Sequence, residues 1–248
     1  MTTLCFIAAL ILSLLSSILA PYQKKEVELY QARQLLIAAK ILSYEGTFLE
    51  TGKVATPAEI FKVQNQRVVP RLTDDKGQLF TFEKLNINYE TYLKDNSKYG
   101  YATLPYKLVY LIYTGSEVTG FVIPVNGYGL WDAIYGYLAL KADGNTIIGA
   151  TWYNQKETPG LGANIGEKEW QAHFDGKKIF QNSQDKKTSK LGIIVVKTTV
   201  KDELGSSPLS DSAVDGIAGA TVTRNGVQEA YKESLAPYRN FLIRNAKH

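Results

Sequence analysis

The 248-residue sequence predicts an α+β fold, in which an N-terminal single transmembrane helix is followed by an α+β domain. Three observations give this prediction. The chain opens with an uncharged apolar run, which is typical of a membrane span. Strand patterns fill the middle of the chain and helical patterns its end, without the regular alternation that marks a parallel sheet. The apolar content of 45% is that of an ordinary globular core.

The uncharged run Leu4–Ala20 is close to the short limit for a membrane span. At ~1.5 Å per residue it reaches about 25 Å, whereas the hydrocarbon core measures ~30 Å, and its flanks extend it into the interface. A cleaved signal peptide is the alternative. No Lys or Arg precedes the run, and Ile18 breaks the small-x-small cleavage pattern before Pro21. We therefore predict an uncleaved anchor over residues 1–22.

A juxtamembrane helix is predicted for residues 23–46. Its apolar stripe has helical spacing, and Gly46 is a typical helix stop; the stripe consists of Leu35, Ala38, Ala39 and Leu42. This stripe can dock either on the globular domain or on a partner subunit.

Residues 47–117 are predicted to be an irregular elaboration. Val68–Leu72 is interrupted by Pro70 and is at most an edge strand. The β-branched and aromatic run Tyr106–Tyr113 predicts a strand, and the polar segment Asp95–Tyr101 predicts a loop.

Residues 118–244 are predicted to be the main domain, with four further strands and two helices. The strands are Val118–Val125, Tyr135–Lys141, Thr146–Tyr153 and Leu191–Lys197. Asp143-Gly144-Asn145 predicts a hairpin turn between the second and third of them. The helices are Gly166–Phe174 and Thr223–Arg244, of which the second is broken at Pro237.

The segment Asp215-Gly216-Ile217-Ala218-Gly219-Ala220-Thr221-Val222-Thr223 stands just before the last predicted helix. Thr223 is a suitable N-cap, because its hydroxyl can accept a hydrogen bond from a first-turn N–H. Thr221 then lies just outside the helix, where free N–H groups and the helix dipole favour an anion. Gly219 and Ala220 add little bulk, so another enzyme could reach the Thr221 hydroxyl. Taken alone, the segment is more typical of an ordinary turn and cap.

Two more motifs precede this segment. Glu157-Thr158-Pro159-Gly160-Leu161-Gly162 follows a predicted strand and carries a strong Pro-Gly turn signal. Gly127-Tyr128-Gly129-Leu130-Trp131 lies further upstream. In this order and spacing, the three motifs resemble the FMN-binding domain of the C subunit of sodium-translocating NADH:quinone reductases and of the related G subunit of the Rnf complex. The resemblance covers residues 118–241.

The resemblance implies an FMN-binding domain with FMN held covalently, through a phosphoester, on Thr221. Gly219 and Ala220 would permit close approach to the phosphate. The opposing wall would be formed by Glu157, Thr158, Gly160, Leu161 and Gly162. Trp131 and Trp152 are weaker candidates, for which core packing is the favoured role. The family usually has Ser or Thr where Ala218 stands, which bears on the efficiency of flavin attachment. It often has His-Gly where Gln155-Lys156 stands, which bears on the surroundings of the ring.

The resemblance also implies an electron-carrying role inside a membrane complex that exports sodium. Electrons would come from an iron–sulfur centre formed by neighbouring membrane subunits and pass to a second covalent FMN in the B subunit. The implied partners are the B-, D- and E-type subunits, with a flavin transferase for maturation. The Gly-Leu-Trp run favours the quinone-reductase protein over a Rnf G-type flavoprotein. A membrane-anchored scaffold without cofactor is the alternative of another class.

Orientation in the bacterial inner membrane is indicated in two opposite ways. Lys24, Lys25 and Arg33 follow the span and no basic residue precedes it, so the positive-inside rule alone places the domain in the cytoplasm. The resemblance places it in the periplasm, and we adopt that prediction.

Composition argues against several other classes of function. The net charge of +4 is too small to indicate nucleic-acid binding, and no basic run is interleaved with aromatic residues. Cys5 is the one cysteine, so cluster ligands and an intrachain disulfide are absent. The two histidines, His173 and His248, do not predict a metal site. No dinucleotide-binding motif opens a helix.

Overall fold

The computed structural model describes residues 2–182 and 184–246; Met1 and His248 lie outside them. One helix, α1 (Thr2–Ala38), replaces the separate anchor and juxtamembrane helix and runs through Pro21 without a break. Among the described residues it is the one helix long and apolar enough to cross a membrane, and its most apolar window is fully exposed. The expected stop at Gly46 is wrong. The chain turns at Lys40, whose φ of 53° is left-handed, and the Ile41 N–H closes the last turn on the Leu36 carbonyl.

The centre of the molecule is a six-stranded antiparallel sheet. Its strands are β1 (Val68–Thr73), β2 (Leu79–Phe80), β3 (Lys107–Thr114), β4 (Glu117–Tyr128), β5 (Ala133–Lys141) and β6 (Ile147–Asn154), in the spatial order β2-β1-β3-β4-β5-β6. Four of them confirm predicted strands. β2 pairs only with Leu72 and Thr73, so Pro70 lies on an open edge, as its missing N–H requires. The predicted hairpin at Asp143 is also confirmed, since its carboxylate accepts the N–H groups of Asn145 and Thr146 at 2.8 Å.

A second core covers one face of this sheet. It contains the end of α1 together with two helices that the sequence did not predict, α2 (Pro57–Arg67) and α3 (Tyr89–Asn96). Leu35 and Leu36 of α1 are buried there, in one cluster with Tyr110 and Ala139 of the sheet. The apolar stripe of α1 therefore docks on the chain's own domain. Residues 47–117, expected to be irregular, supply half of the sheet and two helices.

The other face of the sheet carries the C-terminal part of the chain. Its elements are α4 (Lys168–Gln171), β7 (Ile194–Val195), α5 (Val200–Leu204), β8 (Ala213–Val214), α6 (Thr221–Leu235) and α7 (Arg239–Arg244). The strand predicted at 191–197 shrinks to β7, which pairs in parallel with β8. The helix predicted at 166–174 is α4 between two short 3-10 turns. The break at Pro237 is confirmed by a 3-10 turn that separates α6 from α7.

Helix α6 crosses β4 at unusually close range. A Cβ on Gly127 of β4 would lie 2.5 Å from the Ala230 Cβ, and one on Gly226 of α6 would lie 2.0 Å from the Tyr128 carbonyl oxygen. Glycine at both positions thus lets the backbones meet. This contact brings the first turn of α6 beside the turn that follows β4.

Candidate functional site

Three segments meet around a shallow groove at the start of α6. They are the turn after β4, the loop after β6 and the first turn of α6, which carry the three motifs singled out in the sequence. The groove has a volume of about 150 Å³ and is lined by Leu130, Glu157, Thr158, Leu161, Gly162, Gly219, Ala220, Thr221, Val222 and Thr223. Seven of the eight residues expected at the site are in this set. Gly160 instead lines a neighbouring cavity of about 400 Å³, which also contacts Tyr30 of α1.

Thr221 is exposed and lines the groove. Thr221 is the first residue of α6, preceded by Ala220 at the N-cap position, which has no side-chain oxygen. No side chain caps the first turn, so its N–H groups are left without a capping partner from a side chain. An anion held on Thr221 would lie at the positive end of a 15-residue helix.

The hydroxyl of Thr223 is in the opposite situation. The expectation that Thr223 is the N-cap is wrong, because α6 begins two residues earlier. Thr223 is only 2% exposed, and its Oγ1 donates a short hydrogen bond to Glu157 Oε2. Both threonines line the groove, but Thr221 is exposed and Thr223 is buried.

Gly219 is required by its backbone and by its neighbour. Its φ is 72°, in the left-handed region, and a Cβ there would lie 2.8 Å from Leu161 Cδ2. The Leu161 side chain, itself 41% exposed, therefore packs directly over the segment that leads to Thr221. The next residue, Ala220, is buried.

Glu157 lies under the groove with its carboxylate fully engaged. Oε2 accepts the Leu130 N–H and Oε1 accepts the Trp131 N–H, each at 3.0 Å, in addition to the Thr223 hydroxyl. Burial by itself would raise the pKa of this carboxyl, but the hydrogen bonds from Thr223, Trp131 and Leu130 outweigh it, and the pKa is lowered. Glu157 thus remains ionised and joins three segments of the chain.

The two tryptophans have different roles. Trp152 is 2% exposed and packs edge-to-face on Tyr231, with 5.2 Å between ring centroids, so its expected core role is confirmed. For Trp131 that expectation is wrong. Its indole is 68% exposed at the rim of the groove, where Nε1 donates to Thr158 Oγ1 at 3.1 Å.

Two apolar residues of the groove were not predicted from the sequence. Leu130 and Val222 are each about half exposed, and with Leu161 and Trp131 they make the rim apolar. Exposed apolar side chains that cluster in this way mark binding surfaces. Their positions in the sequence could have indicated this role, since Leu130 adjoins Trp131 and Val222 adjoins Thr221.

Asp215 has a structural role outside the groove. Its Oδ1 accepts the Val200 N–H at 2.7 Å, and its carbonyl accepts the Trp170 indole N–H at 2.9 Å. The acidic residue upstream of Thr221 therefore holds α5 and α4 in place. His173 is exposed.

Comparison with known proteins adds a family to this geometry. A family model described as an FMN-binding domain matches residues 129–236. The chain is 37% identical to the C subunit of the Na(+)-translocating NADH-quinone reductase of Chlamydia caviae, over 98% of this chain and 90% of that protein. It is also 37% identical to the corresponding C subunit of Chlamydia muridarum, over 96% and 88% respectively. The crystal structure of the C subunit from Parabacteroides distasonis superposes with a TM-score of 0.65 at 26% identity, covering 90% of this chain and 96% of that one.

Proposed function

Because this chain belongs to the family of Na(+)-translocating NADH-quinone reductase C subunits, we propose that it carries electrons in such a complex on an FMN bound covalently to Thr221. One observation carries the choice of residue. Of the two threonines at the start of α6, Thr221 is exposed and lines the groove, whereas Thr223 is buried and its hydroxyl donates to Glu157.

The size of the groove favours a covalent attachment. Its volume of about 150 Å³ is below the ~300–1,000 Å³ of cavities that enclose a drug-sized ligand. A flavin ring would therefore lie against the apolar rim, held mainly by its bond to Thr221. The helix N-terminus stabilises a phosphoester by only about 0.3–1 kcal/mol, so it orients the phosphate and contributes little to retention.

Attachment requires a separate flavin transferase, which uses a flavin dinucleotide as donor. The Thr221 Oγ1 forms a bond to the phosphorus of the FMN half as the bond from that phosphorus to the nucleotide leaving group breaks, and the hydroxyl proton passes to a base. A metal ion on the transferase would assist this phosphoryl transfer. The exposed rim and the small residues Gly219 and Ala220 give the transferase access to the hydroxyl.

FMN supplies the redox chemistry when it is bound, and the residues of the groove supply its position and surroundings. Thr158, Leu161 and Gly162 form the wall that faces Thr221, and Leu130 and Trp131 form the rim. Gly160 shapes the turn of the same loop, with a φ of 76°. In the assembled complex, electrons would arrive from an iron–sulfur centre of the D- and E-type subunits and leave to a flavin of the B-type subunit, coupled to sodium export.

The placement of the chain follows from the same assignment. Helix α1 would span the bacterial inner membrane, with residues 23–244 in the periplasm. A reporter that works only in the periplasm, fused at the C-terminus, should be active. Activity of a cytoplasm-only reporter instead would reverse this orientation and support the bias set by Lys24 and Lys25.

The attachment site is tested by two matched substitutions, made with the flavin transferase co-expressed. Thr221→Val removes the nucleophile at constant volume and should give a folded protein whose denatured gel band lacks flavin fluorescence. Thr221→Ser should restore it. Thr223→Val should keep the fluorescent band, because the Thr223 hydroxyl donates a hydrogen bond to Glu157 and does not carry the flavin. If Thr223→Val loses the fluorescent band and Thr221→Val keeps it, the attachment site is Thr223. A wild-type protein that carries no flavin would favour the scaffold function.

A further inference from the structure

Three consecutive residues of the loop after β6 all contact one turn. Lys156 Nζ pairs with Asp132 at 2.6 Å, the Glu157 carboxylate accepts the N–H groups of Leu130 and Trp131, and Thr158 accepts the Trp131 indole N–H. The turn is closed by the Gly129 N–H on the Asp132 carbonyl at 2.9 Å. The rim of the groove is thus held from one side by a single run of sequence.

These three contacts differ in strength because they differ in burial. The Lys156–Asp132 pair is largely exposed, and exposed pairs contribute little. The Thr158 contact is also at the surface. Glu157 is only 6% exposed, and hydrogen bonds to its ionised carboxylate are of the stronger, charge-assisted kind. Of the three contacts, those of Glu157 therefore stabilise the turn most.

The space around the Glu157 carboxylate is kept free by two glycines. A Cβ on Gly129 would lie 2.5 Å from Glu157 Oε1, and one on Gly162 would lie 2.5 Å from Thr223 Oγ1 and 2.8 Å from Glu157 Oε2. Neither glycine has a positive φ, so room for the carboxylate, rather than backbone conformation, requires them. Residues from three separate segments thus pack around the two carboxylate oxygens of Glu157.

We propose that Glu157 and Thr223 form a latch that positions the Leu130–Trp131 rim against α6 before any flavin is attached. Both are positioning residues. Glu157 binds the turn through two backbone N–H groups, and Thr223 ties Glu157 to the helix that presents Thr221. Glutamate suits the place because an ionised carboxylate accepts all three hydrogen bonds and donates none, whereas an amide would face one of these donors with its own NH₂. Only the claim that this rim contacts flavin rests on the proposed function.

The latch is tested first in the flavin-free full-length protein, in detergent, by hydrogen exchange. In Glu157→Gln, the Leu130 and Trp131 amides should exchange at least about tenfold faster, as expected for the loss of a charge-assisted hydrogen bond. Thr223→Val should accelerate the same amides, and Thr223→Ser should restore the wild-type rate. The double variant Glu157→Gln/Thr223→Val should be no faster than Glu157→Gln alone, because both changes open one latch.

Two matched controls separate the latch from general destabilisation. Asp143→Asn removes another carboxylate that accepts two backbone N–H groups and a threonine hydroxyl, at the remote hairpin. Lys156→Ala removes the exposed ion pair on the same turn. Neither should change exchange at Leu130 and Trp131. Unchanged exchange in Glu157→Gln, or additive effects of the two latch substitutions, would overturn the proposal.

A second measurement uses the flavin-loaded protein. In Glu157→Gln and Thr223→Val the flavin should remain covalently attached, while its visible circular dichroism weakens because the rim no longer fixes the ring. Thr223→Ser and Asp143→Asn should keep the wild-type signal. Faster amide exchange in a protein that never carries flavin would uphold the latch and refute the proposed function, whereas attached flavin with unchanged exchange and dichroism would refute the latch alone.

Discussion

At the scale of single residues, two threonines two positions apart have different environments: Thr221 is exposed at the groove, whereas Thr223 is buried and donates its hydroxyl hydrogen bond to Glu157. The Gly-Ala-Thr segment and the Glu-Thr-Pro-Gly segment were recognised as motifs, and the structure brings both together. The environments of Thr221 and Thr223 could not be told apart beforehand. Thr223 looks like a cap in sequence, yet its hydroxyl is bound to Glu157, which is 66 residues away along the chain. A contact between residues so far apart in the chain is determined by the fold, and no local sequence pattern indicates it.

The ionisation of Glu157 predicts an acid-dependent stability. Its folded pKa is lowered from the ordinary value of 4.5, so the ionised latch stabilises the folded state. That contribution is fully present above pH 4.5 and is lost as the pH falls through the folded pKa. The difference in unfolding free energy between wild type and Glu157→Gln should therefore be constant near neutrality and shrink in acid. Urea unfolding at a series of pH values measures it, and a difference that grows in acid would contradict the lowered pKa.

At the scale of elements, long periodic segments were predicted well and short or weakly amphipathic ones were not. The strands β3 to β6 carry β-branched and aromatic runs that determine them locally. Helix α2 buries only Ile60, so apolar periodicity did not reveal it, although Thr56 and Glu59 form a capping box that could have done so. The strand predicted at 191–197 shrinks because the continuous pairing of Ile194 and Val195 is with Ala213 and Val214 of a distant segment, whereas Leu191 forms an isolated bridge to Phe180.

Because α6 crosses β4 so closely, we expect a glycine-to-alanine substitution in this helix to destabilise the fold, which is the opposite of its usual effect. Glycine to alanine inside a helix normally stabilises by ~0.8–1 kcal/mol. Gly226→Ala should instead destabilise by about 1–3 kcal/mol, because the new Cβ would lie 2.0 Å from the Tyr128 carbonyl oxygen. The neighbouring exposed Asn225→Ala should be neutral or stabilising. Denaturant midpoints compare the two, and stabilisation by Gly226→Ala would show that α6 stands further from β4.

At the scale of the whole molecule, one sheet separates two cores, and each has its own task. The core under α6 supports the groove, whereas the other core holds the end of α1. The sequence suggested a separate anchor, juxtamembrane helix and elaboration. A single helix instead runs from the apolar N-terminus into the domain, and residues 47–117 build the core that receives it.

This continuity predicts where the chain can be shortened. Deletion of residues 1–26 removes only exposed side chains among those that the structure describes, and should leave a soluble, folded domain that still accepts flavin. Deletion of residues 1–39 also removes Leu35, Leu36 and Ile37, which are buried in the second core. At ~1.5–3 kcal/mol for each buried side chain, these three contribute about 5–9 kcal/mol, comparable to the ~5–15 kcal/mol that stabilises a whole domain. The longer deletion should therefore aggregate or melt without a cooperative transition. Circular dichroism melts and size-exclusion chromatography compare the two, and a cooperative melt of the longer deletion would mean that α1 is not part of the domain.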